Sequence, residues 1–508
     1  MITTVAGNEV EDRVVEALET SRRSCVEVYG LWASARAHLA VGVAKRLGCN
    51  LLIVAAGRSE SEDIHDDVCT FADPERVMLF PSWQVLPGDE VGPSDEIMSE
   101  RLATLERLAF APGEAKPFYV IASVRSAVQL VVPKELLASR TVVVQRGDAL
   151  PISELNRKLS GLGYERTTMV DRPGEISIRG GIFDIYPISS EMPYRLEFFG
   201  DEIDSIRTFD PATQRSVQRV ESVRVLPRSE KELNEVLLRE KKLSDALTDY
   251  LPADTLVVID EPVLIAAEAQ EVDCEFADDP GTLSWSSLTE RLAPFRQLVV
   301  GQLAQDKPRG QRIFTETKSM AGWEGNLQLF WDQLRQWWHD DYEVVFVCNN
   351  DGERRRLKEL LADGDYEVDV PDSRLRTTIG RLRGGFSVPD QRLAILSGKE
   401  LFGRHYWRRP RRRFSFGAPI YALEDLRTGD YVVHVEHGVG KYLGLTRLED
   451  KKGDFVTIGY QSGDKLYVPI TQISLVQKYV GADSVAPPLD KIGGAAWAKT
   501  KEKVSRAV

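Results

Sequence analysis

The sequence predicts a multidomain α/β protein that ends in a small β-barrel-like module. Three observations predict it. The chain has 508 residues, more than one hydrophobic core organises. Short apolar runs of strand length alternate with stretches of helical period over most of it, the pattern of a parallel sheet covered by helices. From about residue 422 closely spaced short strands replace that alternation. Apolar content of 43% and charged content of 28% are those of a globular protein. A net charge of −13 argues against broad phosphate contact and favours a protein partner. No run of eighteen apolar residues exists, and the opening stretch "MITTVAGNEVEDRVVEALETSRR" has no apolar signal core. A cytoplasmic location and no membrane partner are therefore expected. The five cysteines form no CxxC pair and the six histidines are dispersed, so neither a disulfide framework nor a metal set is expected. His434 and His437 read as structural.

Residues 1–135 form the first part of an α/β domain. "LLIVAAG" (51–57) and "FYVIASV" (118–124) read as buried strands. "DEIMSERLATLERLAF" (95–110) reads as a helix, with Ile97, Leu102, Leu105 and Leu108 spaced for one face. An inserted α+β domain occupies 136–228. In it "TVVVQRGD" is a strand and "ISELNRKLSGLGYER" a helix ending at glycine. Ile176, Ile178, Ile182, Phe183 and Ile185 supply strand character, and Gly180-Gly181 marks a bulge or sharp bend. Pro187 to Pro193 connects a hairpin, and "YRLEFFGDEIDSIRTFD" returns as one or two strands. The first domain resumes over 229–310, where "TLVVIDEP" (255–262) is a buried strand ending in two carboxylates. "AQDKPRGQRIF" reads as a linker.

A second, small α/β domain with an arginine-rich connector spans 320–418. "LQLFWDQLRQWW" places Leu327, Phe330, Trp331, Leu334, Trp337 and Trp338 on one helical stripe, read as core packing. "EVVFVC" is a strand and "DGERRRLKELLAD" a helix with Asp351 as its N-cap. "GRHYWRRPRRRF" (403–414) carries six arginines; it reads as a solvated connector, with nucleic-acid contact as the alternative. Residues 419–492 form the β module, with "QSGD" as a tight turn and "TQISLVQKYV" as a short helix. Residues 493–508 begin a further helix.

"YGLWASARAHLA" (29–40) lies between the apolar run ending at Tyr29 and a helix-like run ending near Leu47-Gly48, the setting of a phosphate-binding loop. Against G-x-x-x-x-G-K-[ST], Gly30 fits the first glycine. Ala35, Arg36 and Ala37 stand where the second Gly, the Lys and the Ser/Thr act. Ala35 puts a methyl where backbone must approach phosphate, and Ala37 has no hydroxyl for Mg²⁺. Arg36 keeps a charge without the compact ammonium. Asp260 and Glu261 stand where an NTPase places its metal-holding Asp and water-orienting Glu. The expectation is a nucleotide-binding fold without its chemistry, binding no ATP at Gly30–Ala37 and holding no cofactor or metal.

Three stretches carry a resemblance: "RPGEISIRGGIFDIYPISSEMPYRLEFFGDEIDSIRTFDPATQRS" (172–216), "GGFSVPDQRLAILSGKELFGR" (384–404), and "GDYVVHVEHGVGKYLGL" with "KLYVPITQISLVQKYVG" (429–481). They resemble the bacterial transcription-repair coupling factor family (Mfd): a degenerate UvrB-like half-motor followed by a CarD-like, Tudor-type module that binds RNA polymerase. The resemblance implies a non-catalytic adaptor of nucleotide excision repair. UvrA would bind the insertion through Arg179, Arg195 and Phe199. The polymerase β subunit would bind the C-terminal module by strand pairing, near Leu448, with Lys441, Tyr442 and Arg447 as neighbouring contacts. The bland alternative for the arginines is pairing with Glu175, Glu197 or Asp201; for Leu448 it is core packing. In the family, ATP, Mg²⁺ and most DNA contact belong to a two-lobe translocase that follows. No second phosphate loop or helicase motif occurs here, so the chain reads as the first portion of such a protein. Two alternatives stand beside this reading: a UvrB-like ATP-dependent DNA repair enzyme, and a CarD-like transcription regulator.

Overall fold

The apolar runs of the first domain assemble into one parallel sheet. Its strands come in two instalments. β1 (Cys25–Tyr29), β2 (Leu51–Ala55), β3 (Val77–Phe80) and β4 (Tyr119–Ser123) precede the insertion, whose strands are β5 (Val142–Gln145), β6 (Glu165–Arg166), β7 (Glu175–Arg179), β8 (Ile182–Ile185), β9 (Tyr194–Phe199), β10 (Glu202–Phe209), β11 (Ser216–Val220) and β12 (Ser222–Val225). β13 (Leu256–Asp260), β14 (Arg296–Gly301) and β15 (Gln311–Phe314) then return to the first sheet. The sheet has seven strands in the order β15-β1-β14-β13-β2-β4-β3, all parallel. The computed structural model describes residues 9–402 apart from 21–23, 84–93, 111–116, 212, 241–243, 278, 305–307, 309, 321–326, 365 and 371–372. It also describes 431–434, 438–447, 454–461, 465–469 and 476–478.

A parallel sheet covered on both faces needs strands that are apolar throughout. β2 and β4 are buried at every position. One face packs on the Ala35–Leu47 and Arg58–Phe71 helices through Val26, Val28, Leu51 and Ile53. The other packs on the Asp95–Phe110 and Pro262–Glu275 helices through Leu52, Val54, Val257 and Ile259. Ile97, Leu102, Leu105 and Leu108 are all buried, as their spacing predicts. "QRIF" is not linker: β15 pairs β1 in parallel and Ile313 is fully buried. A two-residue apolar cue, Ile313-Phe314, is too short to announce an edge strand.

In the insertion a six-stranded sheet runs β11-β10-β9-β8-β7-β6, and β12 pairs β5 separately. Its core face carries Ile176, Phe183, Ile185, Leu196, Ile203 and Ile206 against Leu155 and Leu159 of the Ile152–Gly161 helix. Gly180-Gly181 makes the sharp bend, a two-residue hairpin turn between β7 and β8 with Gly180 at φ +60°. Where the chain re-enters the first domain after the insertion it is pinned by Arg101, which with Glu230 is fully buried. Arg101 Nε and Nη2 donate to the Glu230 carboxylate at 2.8 and 3.1 Å, and the guanidinium lies 4.2 Å from the Phe80 ring centroid.

The second small domain has β16 (Lys318–Ser319), β17 (Glu343–Cys348), β18 (Leu375–Ile379), β19 (Phe386–Val388) and β20 (Leu393–Ser397), ordered β16-β19-β20-β17-β18. On the Leu327–His339 helix, Phe330, Leu334 and Trp337 are buried, whereas Trp338 is exposed beneath the Arg374 guanidinium. Asn350, not Asp351, caps the Asp351–Asp363 helix by accepting from the Glu353 N–H, one residue earlier than expected. Val345, Val347, Phe386 and Ile395 join the core of the first domain.

The chain divides into two compact units, Met1–Trp407 and Arg408–Val508. In the second unit β21 (Tyr431–His434), β22 (Gly438–Arg447), β23 (Asp454–Gly459), β24 (Lys465–Pro469) and β25 (Val476–Lys478) form one antiparallel sheet, ordered β24-β23-β22-β21-β25. The helix expected over 471–480 is corrected, since Val476–Lys478 pairs with β21 as a strand. Pairing with a free sheet edge overrides the weak helical period of so short a segment. The arginine-rich stretch 404–413 and residues 493–508 lie outside the described residues. Among the described residues no helix is long and apolar enough to cross a membrane.

Candidate functional site

The phosphate-loop region has the expected strand–turn–helix frame, β1 running into the Ala35–Leu47 helix. In such a loop the backbone N–H groups must be free to converge on phosphate. Here protein groups take several of them. Gly30 N–H donates to the Gln302 carbonyl at 3.1 Å, and Leu31 N–H to that of Gly301 at 3.2 Å. Trp32 N–H donates to Thr317 Oγ1 at 2.9 Å, and Ala35 N–H to the Trp32 carbonyl at 3.0 Å. Gly30 has φ +87°, and a Cβ there would stand 1.9 Å from the Thr315 carbonyl oxygen. The loop is thus wedged by the segment that joins the two α/β domains.

Arg36, Asp260 and Glu261 meet. Arg36 Nε donates to Asp260 Oδ1 at 2.6 Å and Nη1 to Glu261 Oε1 at 2.7 Å. Arg36 and Asp260 are 5% and 3% exposed, so the pair is internal. Burial pushes the Glu261 carboxyl above its ordinary range while Arg36 pulls the other way. Ser34 Oγ donates to Asp67 Oδ1 at 2.7 Å, and the Arg383 N–H from the second domain donates to the same oxygen at 2.8 Å. Asp67 Oδ2 is buried without a partner, and burial pushes this carboxyl up to about 7 against the pull of Arg383. The crevice among Arg36, Ala37, Asp67, Asp260 and Arg383 is too narrow to hold a water molecule.

In the insertion, strand alternation sorts the side chains. The face opposite the core carries Arg179 on β7, Asp184 on β8, Arg195 and Phe199 on β9. Arg195 faces Asp184 directly in register, and Arg179 lies diagonal to it. Arg195 Nε and Nη2 donate to the two oxygens of the Asp184 carboxylate at 2.7 and 2.8 Å, and Arg179 Nη2 adds a third bond at 2.9 Å. The arginines therefore do pair, but with the fully buried Asp184 rather than with Glu175, Glu197 or Asp201. The Arg179 side chain remains 50% exposed and Phe199 is 85% exposed, beside the β9–β10 turn. Asp184 was missed as the organiser of this face. Its signal was there, one acid inside the apolar alternation "GIFDIY".

In the C-terminal sheet, the expected contact residues sit on a central strand. Tyr442 is 4% exposed, which corrects its assignment to a contact surface: it packs in the core with Val456 and Ile458 neighbours on the same side. Its strand neighbours point the other way by alternation. Lys441 is half-buried, with Nζ 5.9 Å from the Tyr431 ring centroid, and Leu443 is exposed. Arg447 stands opposite Asp454 in the backbone register of β22 and β23. Leu448 lies outside the described residues. β21 pairs β22 only as far as Lys441, so among the described residues the remainder of β22 is bonded on its β23 side alone.

These two regions are the ones that known domain families match. Residues 142–230 match the UvrB interaction domain, and residues 426–480 match the CarD-like/TRCF RID domain. Curated relatives match the chain along nearly its whole length. The transcription-repair-coupling factor of Bacillus subtilis is 29% identical across 94% of this chain and 47% of its own length. That of Myxococcus xanthus is 29% identical across 97% and 48%, and that of Escherichia coli 28% identical across 94% and 47%. Over nearly its whole length the chain is similar to transcription-repair-coupling factors. It spans about half the length of the curated relatives it matches. The match to the UvrB interaction domain coincides with the insertion and its Arg179–Asp184–Arg195 cluster. The CarD-like match coincides with the five-stranded sheet.

Proposed function

We propose that this chain is the adaptor portion of a transcription-repair coupling factor, holding UvrA through the insertion and the RNA polymerase β subunit through the C-terminal sheet. One observation carries the reading. Within the segment similar to a UvrB interaction domain, an almost wholly exposed phenylalanine stands beside two arginines that a buried aspartate holds in place. A fixed arginine pair next to an exposed aromatic is the composition of a binding hot spot. The Asp184 bonds do not oppose this role, since Arg179 uses one nitrogen on Asp184 and keeps its other donors for a partner.

The polymerase contact would use the β22 backbone beyond Lys441, which among the described residues is bonded on its β23 side alone, by main-chain pairing. In this reading the C-terminal sheet closes as a small barrel. The first domain is a nucleotide-binding fold retained as a scaffold that catalyses nothing. Its support is the loop whose amides bond to protein and whose Arg36 bonds to Asp260 and Glu261. No ATP or Mg²⁺ site and no DNA-driven turnover are assigned to this chain.

The test is a paired capture by immobilised UvrA and by the polymerase β subunit. The whole chain should bind both without ATP or DNA. Phe199→Ala should abolish UvrA capture and leave polymerase capture intact, because an 85% exposed side chain contributes little to folding. Undiminished UvrA capture by Phe199→Ala and by Arg179→Ala would refute the assignment. DNA-stimulated ATP turnover by the chain would favour the enzyme reading instead.

A further inference from the structure

The polar face of the insertion does not end at β9. Asp184 on β8, Arg195 on β9, Arg207 on β10 and Arg219 on β11 are consecutive partners in the strand register, so one row crosses four strands. Three arginines thus stand opposite one another on adjacent strands, roughly 5 Å apart per step. Like charges in directly opposed positions weaken a sheet unless something offsets them. Within the row the offsets are specific. Asp184 takes Arg195 and Arg179, and Glu197 accepts from Arg207 Nη2 at 2.8 Å. Glu202, the next carboxylate, lies opposite Phe199 at the other end of the face. Glu221 beyond β11 faces Arg146 at 3.9 Å. Arg219 is exposed and its side chain makes no hydrogen bond or ion pair among the described residues.

Val217, two residues before it on β11, is 64% exposed, and β11 is an edge strand of the sheet. An apolar side chain and an uncompensated arginine therefore share an open strand, in a chain whose net charge is −13. The distance from Phe199 to Arg219 is roughly 16 Å from strand rise and spacing, which one protein interface of ordinary size covers.

Resting on the reading of the insertion as the UvrA-binding domain, we propose that the binding face continues onto β11, where Arg219 and Val217 meet an acidic, partly apolar patch of UvrA. An arginine fork fits carboxylates in two-point geometry. A nucleic acid is the poorer match, because phosphate tracking needs a run of uncompensated cations and here two of the three arginines in the row are neutralised.

The experiment titrates the full chain against purified UvrA at low and at high salt, comparing wild type with Arg219→Glu, Val217→Asp and Phe199→Ala. Arg219→Glu weakens binding about tenfold at low salt and less at high salt, as an interfacial charge reversal does. Val217→Asp weakens it as well, while both variants keep the wild-type melting temperature. Binding by Arg219→Glu within about twofold of wild type, with Phe199→Ala abolishing it, overturns the extension and spares the parent reading. Undiminished binding by all three variants overturns both. A parallel titration with duplex DNA that loses affinity in Arg219→Glu, while UvrA binding is unchanged, assigns the row to nucleic acid and overturns the proposal.

Discussion

Replacing Arg36 by methionine tests whether the old phosphate loop is now a strut. Methionine keeps most of the aliphatic stem, so the substitution removes charge and hydrogen bonds with little loss of packing. It deletes the 2.6 Å bond to Asp260 and the 2.7 Å bond to Glu261. Glu261 retains the Gln302 N–H as a donor at 3.2 Å, so the loss concentrates on Asp260, which is 3% exposed. Stranding one member of a buried ion pair costs about 3–5 kcal/mol. Urea unfolding at pH 7.5 measures it, with hydrogen exchange of the β1 and β13 amides as the local probe, since a multidomain chain need not unfold in one step. Asp260→Asn in the Arg36→Met background should return more than half of the loss, a coupling of roughly 2 kcal/mol or more. A loss under about 1 kcal/mol, or a further loss on adding Asp260→Asn, would refute the strut argument.

Asp67→Asn should stabilise the chain near neutrality. The carboxyl titrates at about 7 when folded against an ordinary 3.8, so wild-type stability falls by up to about 1.4 kcal/mol per pH unit as pH rises from 4 to 7, then levels. His38, lowered by burial and then by Lys45 to about 4, works in the opposite sense below its ordinary 6.5. The difference between Asp67→Asn and wild type across pH therefore isolates Asp67; a flat difference would rule the shift out. Glu230→Gln should cost about 3–5 kcal/mol in thermal or urea melts, because it strands the fully buried Arg101. A loss no larger than that from the exposed Arg58–Glu62 pair would show the Arg101 pin to be ornamental. Restoring the loop by Ala35→Gly, Arg36→Lys and Ala37→Thr together should still give no ATP-dependent rise in melting temperature, since the Gly30, Leu31 and Trp32 amides remain engaged. An ATP-induced rise would mean that side-chain identity alone had silenced the site.

Strands of the parallel sheet were readable because each is apolar at nearly every position, and β2 and β4 are indeed buried throughout. The helix at 95–110 was readable because its four apolar positions recur at helical spacing. β15 and β25 were not readable. Each is a short edge segment whose strand state comes from a partner distant in sequence, β1 for the first and β21 for the second. The same holds in the candidate sites. Arg36 beside Asp260 and Glu261 follows from matching two halves of one motif, whereas Thr317 and Arg383 bracing the loop have no local signal.

The choice of Arg179, Arg195 and Phe199 rested on the family resemblance, whereas the sequence alone established the buried strands and helices of the first sheet and the loss of hydroxyl and ammonium at 36–37. These depend on residue type and on periods of two or 3.6, which neighbouring residues settle between them. Tertiary structure alone decided which acid holds the arginines, that Tyr442 turns inward, and that the loop amides are already engaged. Each of those is a pairing between strands or segments tens to hundreds of residues apart, and register, not composition, selects the partner.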